Sequence, residues 1–210
     1  MKNLRKMNSY LSDINQKQKP EIINDILSQA KTLNTPIVTD CAINLIIQFI
    51  KVANANSVLE IGTAIGYSAI MMALSTNAKI TSIEKERRAY EIALANIEKA
   101  KLESMINLIY GDALETDIDL EFDLIFIDAA KGKYQDFFSK YKKLLKKNGI
   151  IICDNLLLHG VIEHPELVKT RRKRQLVNKI DKFNHWLTKQ EDFDTYIYEI
   201  GDGLSVSIKK

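Results

Sequence analysis

Five acidic residues lie at or near the ends of five apolar runs: Glu60, Glu84, Asp112, Asp128 and Asp154. A carboxylate in apolar surroundings is costly to leave unpaired, so each needs water, a partner or a ligand. Asp128, Asp154 and Asn155 form the sharpest group. Two carboxylates and an amide are hard oxygen donors, the kind that Mg2+ or another hard divalent cation takes. Lys131 follows Asp128 by three residues and can reach the same point. A lysine among carboxylates acts as a general base or stabilises an oxyanion; a surface salt bridge is the plain structural alternative. His159, His164 and His185 are not spaced as a metal site with one another, and no Ser-His-Asp arrangement is visible.

Such residues need a scaffold, and the stretch Ser57 to Ala73, SVLEIGTAIGYSAIMMA, supplies its opening. A buried strand, a glycine turn and an apolar helix begin a nucleotide-binding βαβ unit. A dinucleotide fingerprint wants G-x-G-x-x-G. Here Gly62-Thr63-Ala64-Ile65-Gly66 lacks the middle glycine, which disfavours a nicotinamide dehydrogenase. An acidic residue followed by this turn suits a cofactor with a cationic end, the pattern of S-adenosylmethionine enzymes. Glu84, about twenty residues on, is placed to accept two ribose hydroxyls, with a helix N-cap as its alternative. Asp112, after Gly111, faces an adenine or simply makes a turn.

From Ser57 onward strand and helix alternate. Strands are expected at Val58–Ile61, Ile80–Ile83, Ile106–Tyr110, Phe122–Ile127 and Ile150–Cys153, the last after a turn at Asn148-Gly149. Helices are expected at about Lys85–Lys101, Tyr134–Leu145 and Lys169–Leu187, and a closing hairpin at Thr195–Ile200 and Leu204–Ile208. Residues 3 to 53 read as helices: Leu4, Met7, Leu11 and Ile14 keep helical spacing, Ile22 to Ala30 do so after Pro20, and Asp40–Val52 follows the break at Thr35-Pro36. This prefix caps the pocket, forms a dimer face, or both.

At 210 residues and net charge +3, composition is that of an ordinary globular chain. No signal peptide is visible, and no apolar run approaches the length that spans a bilayer. Cys41 and Cys153 are too few for a disulfide framework; both are expected in the core, in a reducing cytoplasm. Positive charge is concentrated in residues 169 to 182, where seven Lys/Arg stand against Asp181.

Three motifs together resemble the cation-dependent O-methyltransferases of catechol and caffeoyl-CoA type, a branch of the class I S-adenosylmethionine enzymes. They are Glu60-Ile61-Gly62-Thr63-Ala64-Ile65-Gly66-Tyr67-Ser68, Phe126-Ile127-Asp128-Ala129-Ala130-Lys131 and Cys153-Asp154-Asn155. Within that family, Asp154 to Gly160 followed by Thr170-Arg171-Arg172-Lys173-Arg174 resembles the bacterial branch that methylates 5-hydroxyuridine at the tRNA wobble position. The resemblance implies a Rossmann-like α/β fold with a mostly parallel seven-stranded sheet, a C-terminal antiparallel hairpin and an N-terminal helical cap. Residues 1–54 would be the cap and dimer region, and 55–210 the methyltransferase domain.

By the same resemblance, Val38, Glu60, Gly62 and Ser68 would line the methionine end of S-adenosylmethionine. Glu84 would hold its ribose and Asp112 and Ala113 its adenine, with Asp128 beside the cofactor as well. Asp128, Asp154 and Asn155 would bind Mg2+, and Lys131 and Asp128 would be catalytic. The loop Thr39-Asp40-Cys41-Ala42-Ile43 departs from the acidic-Gly-Gln pattern of many relatives. Arg171, Arg172, Lys173 and Arg174 would hold the tRNA anticodon loop, since clustered cations supply the sequence-independent part of RNA binding. Tyr134, Phe137, His159 and Trp186 are candidates to stack on a base or to pack in the core. The expected reaction is methylation of the 5-hydroxyl of 5-hydroxyuridine by a cytoplasmic homodimer. The alternatives are a small-molecule catechol-type O-methyltransferase and an RNA-binding protein that has kept the cofactor fold without activity.

Overall fold

The computed structural model describes residues 18–210 together with Tyr10, Ile14 and Asn15. The helical spacing through Leu4, Met7 and Leu11 lies outside the described residues. Two helices come first, α1 (Glu21–Leu33) and α2 (Asp40–Val52). Then β1 (Ser57–Ile61), α3 (Tyr67–Ser75), β2 (Lys79–Glu84), α4 (Arg87–Lys99), β3 (Ile106–Tyr110) and β4 (Phe122–Ile127) follow. The chain closes with α5 (Tyr134–Tyr141), β5 (Leu145–Cys153), α6 (Arg171–Leu187), β6 (Phe193–Tyr198) and β7 (Leu204–Lys209).

The sheet has seven strands in the order β3-β2-β1-β4-β5-β7-β6. Strands β1 to β5 run parallel, whereas β7 is antiparallel to both β5 and β6. Alternation along each central strand divides the core into two layers. Val58, Ile80, Leu124, Phe126, Ile150 and Ile152 meet the layer to which α1, α2 and α3 contribute. Leu59, Ile61, Ile125, Ile127, Ile151 and Cys153 meet α5 and α6 on the other face. Ile23, Ile26, Ile43, Ile46 and Ile50 of the helical prefix share one cluster with the sheet.

Several element ends differ from expectation. Strand β5 begins at Leu145, because Leu145 pairs with Phe122 before a register shift that returns Ile150 to Leu124. Asn148, with φ of 60°, sits within that irregular strand rather than in a turn between two elements. Helix α5 accordingly stops at Tyr141 and passes through a short 3-10 turn, Lys142–Leu144. Cys41 is exposed, a correction to its expected place in the core. The buried side of α2 runs through Ala42, Ile43, Ile46, Ile47 and Ile50, and Cys41 falls off that stripe. Cys153 is buried as expected, and burial pushes its thiol up to about 12.

Among the described residues, no helix is long and apolar enough to cross a membrane.

Candidate active site

The parallel strands deliver their carboxyl ends to one rim, where open α/β sheets bind ligands. A cleft of about 140 Å³ opens there, lined by Gly62, Glu84, Asp112, Ala113, Asp128 and Phe137 among others. Gly62 has φ of +98°. A Cβ at this position would collide with the carbonyl of Asp128, so glycine is what lets the ends of β1 and β4 close on each other.

Glu84 ties together the backbone of this rim. Its Oε2 accepts the Ala64 N–H at 2.8 Å, and its Oε1 accepts those of Lys85 and Glu86 at 2.9 and 2.8 Å. The N-cap of α4 is Glu86, which accepts the N–H groups of Arg88 and Ala89. The helix-cap alternative for Glu84 therefore passes to its neighbour. Asp112 is a turn residue as well as a wall of the cleft: its Oδ1 accepts the Leu114 N–H at 2.9 Å.

Three residues expected at the cofactor lie outside the cleft lining. Val38 is packed in the core, and Glu60 and Ser68 are buried together. Glu60 is fully enclosed and accepts hydrogen bonds from the hydroxyls of Ser68 and Ser82. The Ser82 hydroxyl lies in turn 2.5 Å from that of Thr63. Burial is the largest influence on Glu60 and raises its pKa to about 7, against the pull of the two serines.

Beside the cleft, the loops after β4 and β5 bring Asp128, Lys131, Asp154 and Asn155 together. The Asn155 side-chain N–H donates to Asp128 Oδ1 at 3.2 Å, and Lys131 Nζ donates to Asn155 Oδ1 at 2.5 Å. Asp154 Oδ1 accepts the Asn155 backbone N–H at 2.6 Å. Tyr134 secures this loop from the core by donating to the Asp154 carbonyl at 2.9 Å. Burial pushes Asp128 up to about 7, with the charge of Asp154 adding to the rise and Lys131 opposing it. Asp154 is pushed up to about 6, again chiefly by burial. Crowded carboxyls of this kind, held short of full ionisation, gain most from an added positive charge.

Among the described residues, no three His, Cys, Asp or Glu side chains gather as a metal cluster. The oxygen set here is two carboxylates and one amide, and its chemistry fits a hard divalent ion.

A family model described as O-methyltransferase matches residues 16–210. This chain belongs to the O-methyltransferase family. Within the family, a caffeoyl-CoA O-methyltransferase of Populus kitakamiensis is 35% identical over 172 residues, covering 75% of this chain and 71% of the relative. A Staphylococcus aureus structure, described as a candidate caffeoyl-CoA O-methyltransferase, is 38% identical with a TM-score of 0.91. That match covers 96% of this chain and 98% of the other. An O-methyltransferase of Bacillus cereus, solved in complex with SAH, is 25% identical with a TM-score of 0.82, at 97% coverage of each chain. The fold expected from the sequence is the family fold.

The remaining O-methyltransferase candidates divide by burial. Tyr134 and Phe137 are buried, Phe137 also lining the cleft, and Trp186, half-buried, packs against the core with its ring 5.9 Å from that of Phe183. His159 is exposed, close to the site. Arg171, Arg172, Lys173 and Arg174 are all exposed in the first turn of α6.

Lys85, whose Nζ lies 3.8 Å from Asp112 Oδ2 at the cleft, carries no site signal in the sequence. Asp202, 3.7 Å from Lys131 Nζ, stands in the hairpin turn, and no spacing in the sequence ties it to the site.

Proposed function

We propose that this O-methyltransferase uses S-adenosylmethionine to methylate one oxygen of a vicinal pair, in a small catechol-type acceptor held at Asp128, Asp154, Asn155 and Lys131. The convergence of these four residues beside the strand-end cleft carries the reading. It is supported by the family match and by relatives named for caffeoyl-CoA.

The donor supplies an electrophilic methyl group on a cationic sulfur, and Gly62, Glu84, Asp112 and Ala113 would receive it in the cleft. Asp128, Asp154 and Asn155 would hold a divalent ion, which supplies positive charge that acidifies a neighbouring hydroxyl. The remaining work belongs to the chain. Lys131 offsets negative charge on the acceptor oxygen as its proton passes to water. Gly62 keeps the donor cleft against Asp128, so that the two reactants meet at short range. Tyr134 and the backbone of Asn155 fix Asp154 before the acceptor arrives.

Asp154→Ala is expected to lower methyl transfer to catechol at least a hundredfold while leaving S-adenosylmethionine affinity by calorimetry within about threefold. Equal loss of both would refute the division of roles.

A second reading keeps the same chemistry with 5-hydroxyuridine of tRNA as acceptor, whose 5-hydroxyl and 4-carbonyl form an equivalent vicinal pair. One observation favours it. Helix α6 has no acidic residue in its first turn and carries Arg171, Arg172, Lys173 and Arg174 there. Cations at a helix N-terminus oppose the macrodipole and cost stability, so a polyanionic partner would give them a purpose.

A further inference from the structure

The hairpin between β6 and β7 turns at Gly201-Asp202-Gly203, and it does more than reverse the chain. Gly203, with φ of +87°, has no room for a Cβ, which would strike Leu157. That close approach lets Leu156 and Leu157 donate their N–H groups to the carbonyls of Gly203 and Asp202, at 3.0 and 2.8 Å. The loop that follows Asn155 is thereby laid along the hairpin. Leu158, His159 and Gly160 are all left-handed in that loop, a run that only outside contacts can hold.

Asp202 supplies one such contact and has a second oxygen to spare. Its side chain is only 10% exposed. Oδ1 accepts the His159 backbone N–H. Oδ2 is buried without a hydrogen-bond partner, and the Lys131 ammonium lies 3.7 Å from it. Lys131 thus stands between two oxygens: Asn155 Oδ1, to which it donates, and the unpaired Oδ2 of Asp202. A buried carboxylate oxygen left without a partner is expensive, and an ammonium group beside it offsets the cost.

We propose that Asp202 is a positioning residue for methyl transfer: through Oδ2 it holds the Lys131 ammonium beside the oxygen set, and through Oδ1 it fixes the loop that follows that set. The catalytic part of this rests on the reading above, in which Lys131 faces the acceptor; the structural part does not. Asp202 touches no reacting atom. It works by restricting a flexible four-carbon side chain to one place, and misplacement by about 1 Å can cost on the order of a hundredfold in rate.

The test compares Asp202→Asn with Asp202→Ala. Asparagine keeps an oxygen for the His159 N–H and removes only the charge facing Lys131, whereas alanine removes both. In crystal structures grown with chelator, Asp202→Asn is expected to keep the 157–160 loop and release Lys131 from Asn155 Oδ1; Asp202→Ala is expected to displace the loop too. Lys131 remaining on Asn155 Oδ1 in both variants would overturn the proposal. In catechol methylation, Asp202→Asn is expected to lower kcat about tenfold or more, with the KM for S-adenosylmethionine within about twofold. Melting temperature should stay within a few degrees. An unchanged kcat with Lys131 released would also overturn the catalytic part. If the unaltered protein methylates no vicinal-oxygen acceptor, the functional reading falls alone, and the crystal structures still decide where Asp202 holds Lys131.

Discussion

Glu60 illustrates how one residue can be visible in the sequence and yet have its surroundings hidden. A carboxylate inside Val58-Leu59-Glu60-Ile61 must find partners, and that much follows from desolvation alone. The residue types called for water, a partner or a ligand there. Its partners prove to be Ser68, eight positions on, and Ser82 on the neighbouring strand. Because Glu60 precedes the last residue of β1, its side chain points into the layer under α3 rather than out of the rim. Burial raises its folded pKa to about 7, from an ordinary value of 4.5. Between those values the native state keeps a proton that the unfolded chain gives up, so stability contributed below pH 4.5 is lost as pH rises through about 7. A shift of this size corresponds to a few kcal/mol, on the order of 3. Glu60→Gln, which is neutral throughout, is expected to melt progressively higher relative to the unaltered protein as pH rises from 5 to 8. A melting difference that does not vary with pH would contradict the burial of an ionisable group there.

Elements fix where the residues meet, and their legibility followed the strength of the local pattern. The apolar strands Ile106–Tyr110 and Phe122–Ile127, and the helix Asp40–Val52, have the bounds their periodicity predicts. Lys142-Lys143-Leu144-Leu145 continues a helical pattern, but pairing of Leu145 with Phe122 draws that residue into the sheet, and tertiary contact overrides local preference. The closing hairpin was legible from its two strands, whereas the contact of Gly203 with Leu157 was not. No local signal states which distant loop a turn will touch. The Gly62 turn is the element on which the site depends most. Gly62→Ala would set a Cβ against the Asp128 carbonyl and oblige a residue with φ of +98° to carry a side chain. It is expected to destabilise the protein by about 2 kcal/mol or more in urea titration and to lower S-adenosylmethionine affinity. Stability and affinity near those of the unaltered protein would mean that the two strand ends need no close approach.

At the scale of the whole molecule, the sheet order places two sites side by side. The strand-end cleft lies over the ends of β1 to β4, and the oxygen set lies over β4 and β5, with α6 following in sequence. In the proposed reaction, acceptor class depends on what surrounds the oxygen set. Arg171→Ala, Arg172→Ala and Arg174→Ala combined should leave catechol methylation within about twofold. If tRNA is an acceptor, the same triple variant should bind it more weakly and with a shallower dependence on salt. An unchanged salt slope would show that this turn of α6 makes no contact with RNA. Acceptor chemistry itself is tested most directly by methyl transfer from labelled S-adenosylmethionine to catechol and to phenol, each with Mg2+ and with excess chelator. The account predicts labelling of catechol that chelator abolishes, and little labelling of phenol under either condition. Equal labelling of both acceptors, or catechol labelling that survives chelation, would contradict the assignment of Asp128, Asp154 and Asn155 to a cation that grips two neighbouring oxygens.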